Sequence, residues 1–285
     1  MIPQYLNTLS SSFAMWIDHI ILKRGFAYEN KTGVLSNYSD GQIPSAYNVF
    51  GSPDKQWVAD SSITGAIIPS GVFANSSFKG RSDGVIIDYD NGRIISSGIS
   101  SSATVTGAYS VKEFNVYSTN QDEESLIVEK TQENNDQKIG SNFEINYLPP
   151  YQQKIPAIFI NVQTQENKPF AFGGMDKSVV KIDVIIMAND PYQLDGALSL
   201  LADTGDEIFK KIDFDLYPYT EQGDLKNNYY NYEDLANASN EYYFIDEVVA
   251  SKMTDPLRRG LNTQLYIGFA DFSVSTMRNP RANSV

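Results

Sequence analysis

An α+β fold is predicted for this chain: an N-terminal helix, an antiparallel β domain of sandwich or barrel type, then an antiparallel sheet with one main helix packed on it. Three observations predict it. Apolar residues recur at helical spacing at the N-terminus, short apolar runs separated by turn residues follow as far as residue 130, and β-branched runs with one capped helical segment fill the remainder. The domain boundaries expected are 1–25 for the helix, 26–130 for the β domain and 143–285 for the α+β domain, with the polar stretch 131–142 between the last two.

The helix rests on Tyr5, Leu6, Leu9, Phe13, Trp16, Ile17, Ile20 and Ile21, one apolar stripe that Lys23, Arg24 and Gly25 bring to an end. In the β domain, "FAYENKTGVLSNY" (26–38) and "VIIDYDNGRIIS" (85–96) each predict a hairpin, the second with Asn91-Gly92 at its tip. "ATVTGAYSVKEFNVYST" and "SLIVEKT" continue the strand pattern. In the last third, "IPAIFINVQTQ", "VVKIDVIIMAN", "KKIDFDLYP", "FIDEVVASKM" and "TQLYIGFADFSVSTM" predict strands. "DPYQLDGALSLLADTGDEIF" (190–209) predicts the main helix, with a capping Asn or Asp before Pro191 and a buried face of Leu194, Ala197, Leu198, Leu201 and Ile208.

Composition narrows the function more than it names it. The 285 residues are enough for two medium domains, and 41% apolar content makes an ordinary globular core. The net charge of −13 repels a phosphate backbone, so sequence-wide nucleic-acid binding is disfavoured, although a repulsive wall would let DNA slide past. With no cysteine there is no thiolate nucleophile, disulfide scaffold or cysteine metal site. The N-terminal 25 residues show neither a signal peptide nor a membrane anchor, so a soluble protein made in the cytoplasm is expected.

Four constellations could carry chemistry, and each departs from its pattern. "FGGMDKSVVKIDVIIM" (172–187) suggests a phosphate loop, but Asp176 precedes Lys177-Ser178, Ala171 stands where the first glycine belongs, and a β-branched run follows where a helix should open. Gly173 and Gly174 therefore predict a turn leading into a strand. His19 is the one histidine, and it sits on the helix beside the apolar stripe. Asp88, Asp90 and Asn91 begin like a calcium loop, yet Gly92 comes one residue early and Ile99 replaces the bidentate glutamate. Asp203, Asp206 and Glu207, and the turn residues Asp122, Glu123 and Glu124, lack the apolar surround that separates an acid from a base. Lys23-Arg24, Lys210-Lys211 and Arg258-Arg259 are isolated basic pairs, of which the last two could pin a phosphate or pair with acidic neighbours. No catalytic, cofactor-binding or metal residue is expected, and no enzyme. The Asn- and Tyr-rich segment 220–243 reads either as an interface or as a solvated loop with a short helix in it.

The stretches "FINVQTQENKPFAFGGMDKSVVKIDVIIMANDPYQLDGALSLLADT", "FIDEVVASKM" and "LYIGFADFSVSTM" together resemble the virion structural proteins of tailed phages, in particular the neck and tail-terminator proteins of contractile-tailed phages. "WIDHIILKRGFAYEN", "SPDKQWVADSSITGAIIPSGV" and "GRSDGVIIDYDNGRII" also look like pieces of such virion proteins. The resemblance is one of pattern, without a signature motif, and the β domain goes beyond the minimal terminator fold. It implies a homo-oligomeric ring, six-fold by preference, at the head-tail junction. The implied partners are adjacent neck, tail-tube or tail-sheath proteins, with DNA passing through the lumen unbound, no membrane and no cofactor. The alternative it leaves is a baseplate, fibre-attachment or capsid-decoration protein.

Overall fold

A computed structural model describes residues 5–130, 155–170, 175–220, 225–227, 229–254 and 265–278. It shows the predicted α+β class: an N-terminal helix, a seven-stranded antiparallel sheet curled into a near-barrel, and a six-stranded half-barrel sheet with a helix on it.

Helix α1 (Tyr5–Lys23) forms where the apolar stripe predicts it, but more than the stripe is buried. Leu9, Phe13, Trp16, Ile17, Ile20 and Ile21 join the main core, Leu22 packs with Val58 and Ile63 on another side, and Ser12, Asp18 and His19 are buried as well. The helix lies between the two sheets, so it has hardly any solvent face.

The near-barrel runs in the order β4-β3-β7-β1-β2-β6-β5, with β1 Tyr28–Tyr38, β2 Asn48–Gly51, β3 Gly71–Ala74, β4 Ser77–Gly80, β5 Val85–Asp88, β6 Arg93–Ser96 and β7 Val105–Lys112. The segment 26–38 is one continuous strand rather than the hairpin expected. Gly33 stays extended opposite Gly107, because β1 must serve two partners: Tyr28–Leu35 pair with β7 and Ser36–Tyr38 with β2. The β5–β6 hairpin is as predicted, with Asp88 opposite Arg93 across a loop of residues 89–92. Gly92 sits there at φ 60°, and a Cβ would lie 2.1 Å from the Asp54 carbonyl oxygen.

The second sheet has the order β11-β12-β13-β10-β9-β8, with β8 Asn115–Ser118, β9 Ala157–Pro169, β10 Asp176–Ala188, β11 Ile208–Lys210, β12 Tyr242–Lys252 and β13 Tyr266–Arg278. All neighbours are antiparallel except β8, which joins β9 in parallel. Its inner face (Ile158, Ile160, Val180, Ile182, Val184, Ile186, Phe272, Val274) meets α1 and the main helix. Its outer face is covered at one end by a helix of residues 123–130, here α2, whose Leu126 and Ile127 pack on Phe159, Ile185, Met187 and Ile267. A strand was expected for "SLIVEKT". The helix wins because Asp122 caps it, accepting from the Ser125 amide at 2.7 Å, and Glu123 and Glu124 fall in the favourable first turn.

The main helix, α3 (Pro191–Ala202), is capped by Asp190 accepting from the Gln193 amide at 2.9 Å, and it buries Leu194, Ala197, Leu198 and Leu201. It is shorter than the expected 190–209. Asp206 takes a left-handed φ of 64°, the chain reverses, and Ile208 lands on β11, half exposed instead of in the helix core. The rest of "KKIDFDLYP" is not a strand either: Phe214–Leu216 form a 3-10 turn. A short helix α4 (Tyr232–Asn237) lies within the Asn- and Tyr-rich segment.

Gly92→Ala should lower the unfolding free energy by more than about 1 kcal/mol, since it adds both left-handed strain and a backbone clash. Denaturant melts of this variant beside Gly33→Ala, where a Cβ meets nothing within 4 Å, check it: equal effects would contradict the turn assignment.

Candidate functional site

Among the described residues, a cluster of buried polar groups lies in the seam between α1, residues 59–62 and residues 229–239. Asp60 is fully buried, and its carboxylate gathers His19 Nδ1 at 2.8 Å, the Ser62 hydroxyl at 2.7 Å, the Ser62 amide at 3.0 Å and the Tyr232 amide at 3.0 Å. Burial by itself would raise the Asp60 pKa, but these hydrogen bonds outweigh it and hold the carboxyl below its ordinary 3.8. The Tyr232 ring stacks on His19 with centroids 4.3 Å apart. Beside His19 on α1, Asp18 takes both hydrogen bonds of a buried ion pair with Lys112, at 2.7 and 2.8 Å, and accepts from the Tyr230 hydroxyl at 3.3 Å. The Tyr230 amide donates to the Ala59 carbonyl and the Ser61 amide to the Tyr230 carbonyl. Burial pushes the Tyr230 and Tyr232 hydroxyls up in pKa, so both remain neutral donors.

These groups include a serine, a histidine and an aspartate, but they are not placed as a nucleophilic triad. Ser62 approaches the same ring nitrogen that Asp60 holds, at 3.4 Å, and donates to Asp60 itself, whereas a triad puts the hydroxyl on the opposite nitrogen. The arrangement instead straps residues 229–239 across α1. Tyr230 and Tyr232, which sequence composition offered as contact surface, point into the core, while Tyr229 remains half exposed.

The other candidates are placed as follows. Lys177 and Ser178 lie in β10, Lys177 pairing with Asp246 at 2.9 Å and the buried Ser178 donating to Asn167 at 2.6 Å. The glycine turn before them falls outside the described residues. Asp88 is committed to Arg93 at 2.7 Å and to the Asn91 amide at 3.1 Å, and Arg93 also pairs with buried Asp40. Glu207 holds Arg24 through two bonds of 2.6 and 2.8 Å; Asp203 is the residue after α3. Lys23 pairs with Glu233 and Lys211 with Asp213 and Glu241, while Arg258-Arg259 lies outside the described residues. Among the described residues no group of three or more His, Asp or Glu side chains is placed to hold a metal ion, and no described helix is long and apolar enough to cross a membrane.

One group of carboxylates was separated in sequence and is brought together only by pairing. Asp183 of β10 stands directly opposite Asp271 of β13, and Glu123 opens α2 beside them. Burial, then Asp271, raises the Asp183 pKa; burial, then Asp183 and Asp271, raises that of Glu123.

The second feature of note is the pair of long edges on the half-barrel sheet. Strand β8 covers β9 only along Ala157–Ile160, and β11 covers β12 only along Tyr242–Phe244. The Glu207 carbonyl extends the latter cover to Ile245. Among the described residues, no strand therefore lies against the outer edges of β9 from Asn161 to Pro169 or of β12 from Asp246 to Lys252. No known protein-family model matches the chain, and no curated protein matches it.

Two pH effects of opposite sign follow. Asp60 has a depressed folded-state pKa, so its contribution is complete above 3.8 and is lost as pH falls through the lower folded value; Asp60→Asn should flatten that acid limb of stability. The same substitution breaks hydrogen bonds at a buried site and should also cost about 1–3 kcal/mol at neutral pH. Asp183 is raised, so its ionisation lowers stability as pH rises from 3.8 through the folded value. Asp183→Asn should stabilise at pH 7 and lose that advantage at pH 3. Denaturant titrations at the two pH values would reveal either sign being wrong.

Proposed function

We propose that this chain is a self-assembling structural subunit of a tailed-phage virion, forming a ring at the head-tail junction. The observation that supports the assembly reading is the pair of open edges on β9 and β12. An open edge is a row of unpaired N–H and C=O groups that templates pairing with another chain, and natural proteins shorten, bulge or cover edges that have no partner. Each edge here carries one bulge, at Gln163 and at Asp246, and beyond it a regular stretch of six residues, 164–169 and 247–252, has no strand against it among the described residues.

The placement in a virion neck or terminator rests on the resemblance of sequence pattern. It is supported by the half-barrel sheet with α3 on its inner face, the arrangement that the resemblance implies, and by the acidic charge of −13, which lets DNA pass a lumen without adhering. The near-barrel at the other side of α1 then serves as an added module for a neighbouring neck, tube or sheath protein. A baseplate, fibre-attachment or decoration role uses the same edges at another place in the particle.

Mass photometry and negative-stain imaging of the purified chain should show closed rings, six-fold by preference. Antibody labelling of particles should mark the head-tail junction. A protein that stays monomeric at tens of micromolar and is absent from particles would sink the reading, while label at the baseplate or on the capsid would favour the alternative.

A further inference from the structure

Resting on that reading, we propose how the ring closes: residues 164–169 of β9 pair with residues 246–251 of β12 from a second copy, in one antiparallel register. In the order β12-β13-β10-β9 each strand is antiparallel to the next, so β9 and β12 run in opposite directions. A copy related by a rotation around an axis along the sheet brings its β12 antiparallel to β9, and the sheet continues unbroken.

Register follows from faces and charges. Gln165 lies level with Val180, Val274 and Ile245, all on the inner face. The bulge between Ile245 and Glu247 reverses the alternation, so on the open stretch Val248 and Ala250 face inward while Glu247 and Val249 face outward. Inner must meet inner, so Gln165 pairs with Val248 or with Ala250 of the next copy. The first choice puts Glu166 opposite Glu247. The second puts Lys168 opposite Glu247 and Glu166 opposite Val249, which removes a like-charge pair and adds an opposite one.

The second register also closes. It displaces the neighbour by four residues, from the level of Val274 to that of Ala270. That is about 13 Å along the strands for each four strands of about 19 Å width. The resulting slope of about 35° is at the lower end of the roughly 35–45° strand tilt of closed barrels. The covered parts leave room: β8 stops at the Ile160 level and the neighbour's β11 begins beyond Pro169, so the open stretch of β9 fits between them. The two surfaces differ, so the contact is heterologous, as a ring requires.

The chain has no cysteine, so introduced pairs report cleanly. Oxidising Glu166→Cys/Val249→Cys, or Gln165→Cys/Ala250→Cys, should give a ladder of covalent oligomers, and each single variant should give none. Lys168→Glu should weaken assembly at least tenfold, and adding Glu247→Lys should restore it. All four cysteine positions are exposed or half-buried, so folding is expected to survive. Covalent dimers from a single variant would overturn the heterologous contact, and a ladder from Thr164→Cys/Val249→Cys alone would overturn the register. Rings that form without any of these cross-links would overturn this interface and leave the assembly reading standing, whereas a strict monomer would sink both.

Discussion

The burial of α1 between the two sheets is the constraint on which the remaining structure depends. Phe13 meets Phe272 edge-on at 5.0 Å, Trp16 stacks on Phe209 at 5.2 Å, and Phe209 meets Tyr243 at 5.0 Å, so one side of the helix is keyed into the half-barrel by aromatic contacts. The opposite side holds Leu22 against Val58 and Ile63 of the near-barrel domain. A helix used from both sides cannot leave its polar residues to water. Asp18 and His19 are therefore buried, and each must find a partner on another element: Lys112 on β7 and Asp60 in the loop after β2.

Those partners give the seam its geometry. Apolar packing tolerates rotation and sliding of a helix, but the Asp60 carboxylate accepts from His19, Ser62 and the Tyr232 amide in fixed directions. The segment carrying α4 is thereby set in place across α1. Any other placement of this segment would leave buried donors and the Asp60 carboxylate unpaired, at a desolvation cost.

The half-barrel sheet is held differently. Its four central strands are long, and where α1 and α3 cover it their inner face carries Ile158, Ile160, Val180, Ile182, Val184, Ile186, Phe272 and Val274. Pairing with β10 and β13 on their other sides keeps the outer parts of β9 and β12 as strands, with no further strand against them among the described residues. Rigid strands with open edges are a means of joining copies of a chain without a loop having to order on contact.

Much of this was legible in the sequence, and the failures have physical causes. The spacing of apolar residues in α1, the Asn91-Gly92 hairpin, the Asp190-capped helix and the strands from "VVKIDVIIMAN" and "LYIGFADFSVSTM" are local: each depends on near neighbours in the chain, and the sequence by itself determined them. Residues 26–38 carry a hairpin pattern because Gly33 is compatible with a turn, and only the partners on either side of β1 keep it extended. The helix at 123–130 has a signal in its Asp122 cap and acidic first turn, outweighed in the sequence by β-branched Ile127 and Val128. The fate of Ile208 turned on a left-handed residue at Asp206, which is not a glycine and so carries no strong mark. The seam around Asp60, the Asp183–Asp271 pair and the two open edges were decided by tertiary structure alone. The first two join residues tens to hundreds of positions apart, and bulges at Gln163 and Asp246 reverse which residues of the two open edges share a face, so no pattern along the chain encodes them.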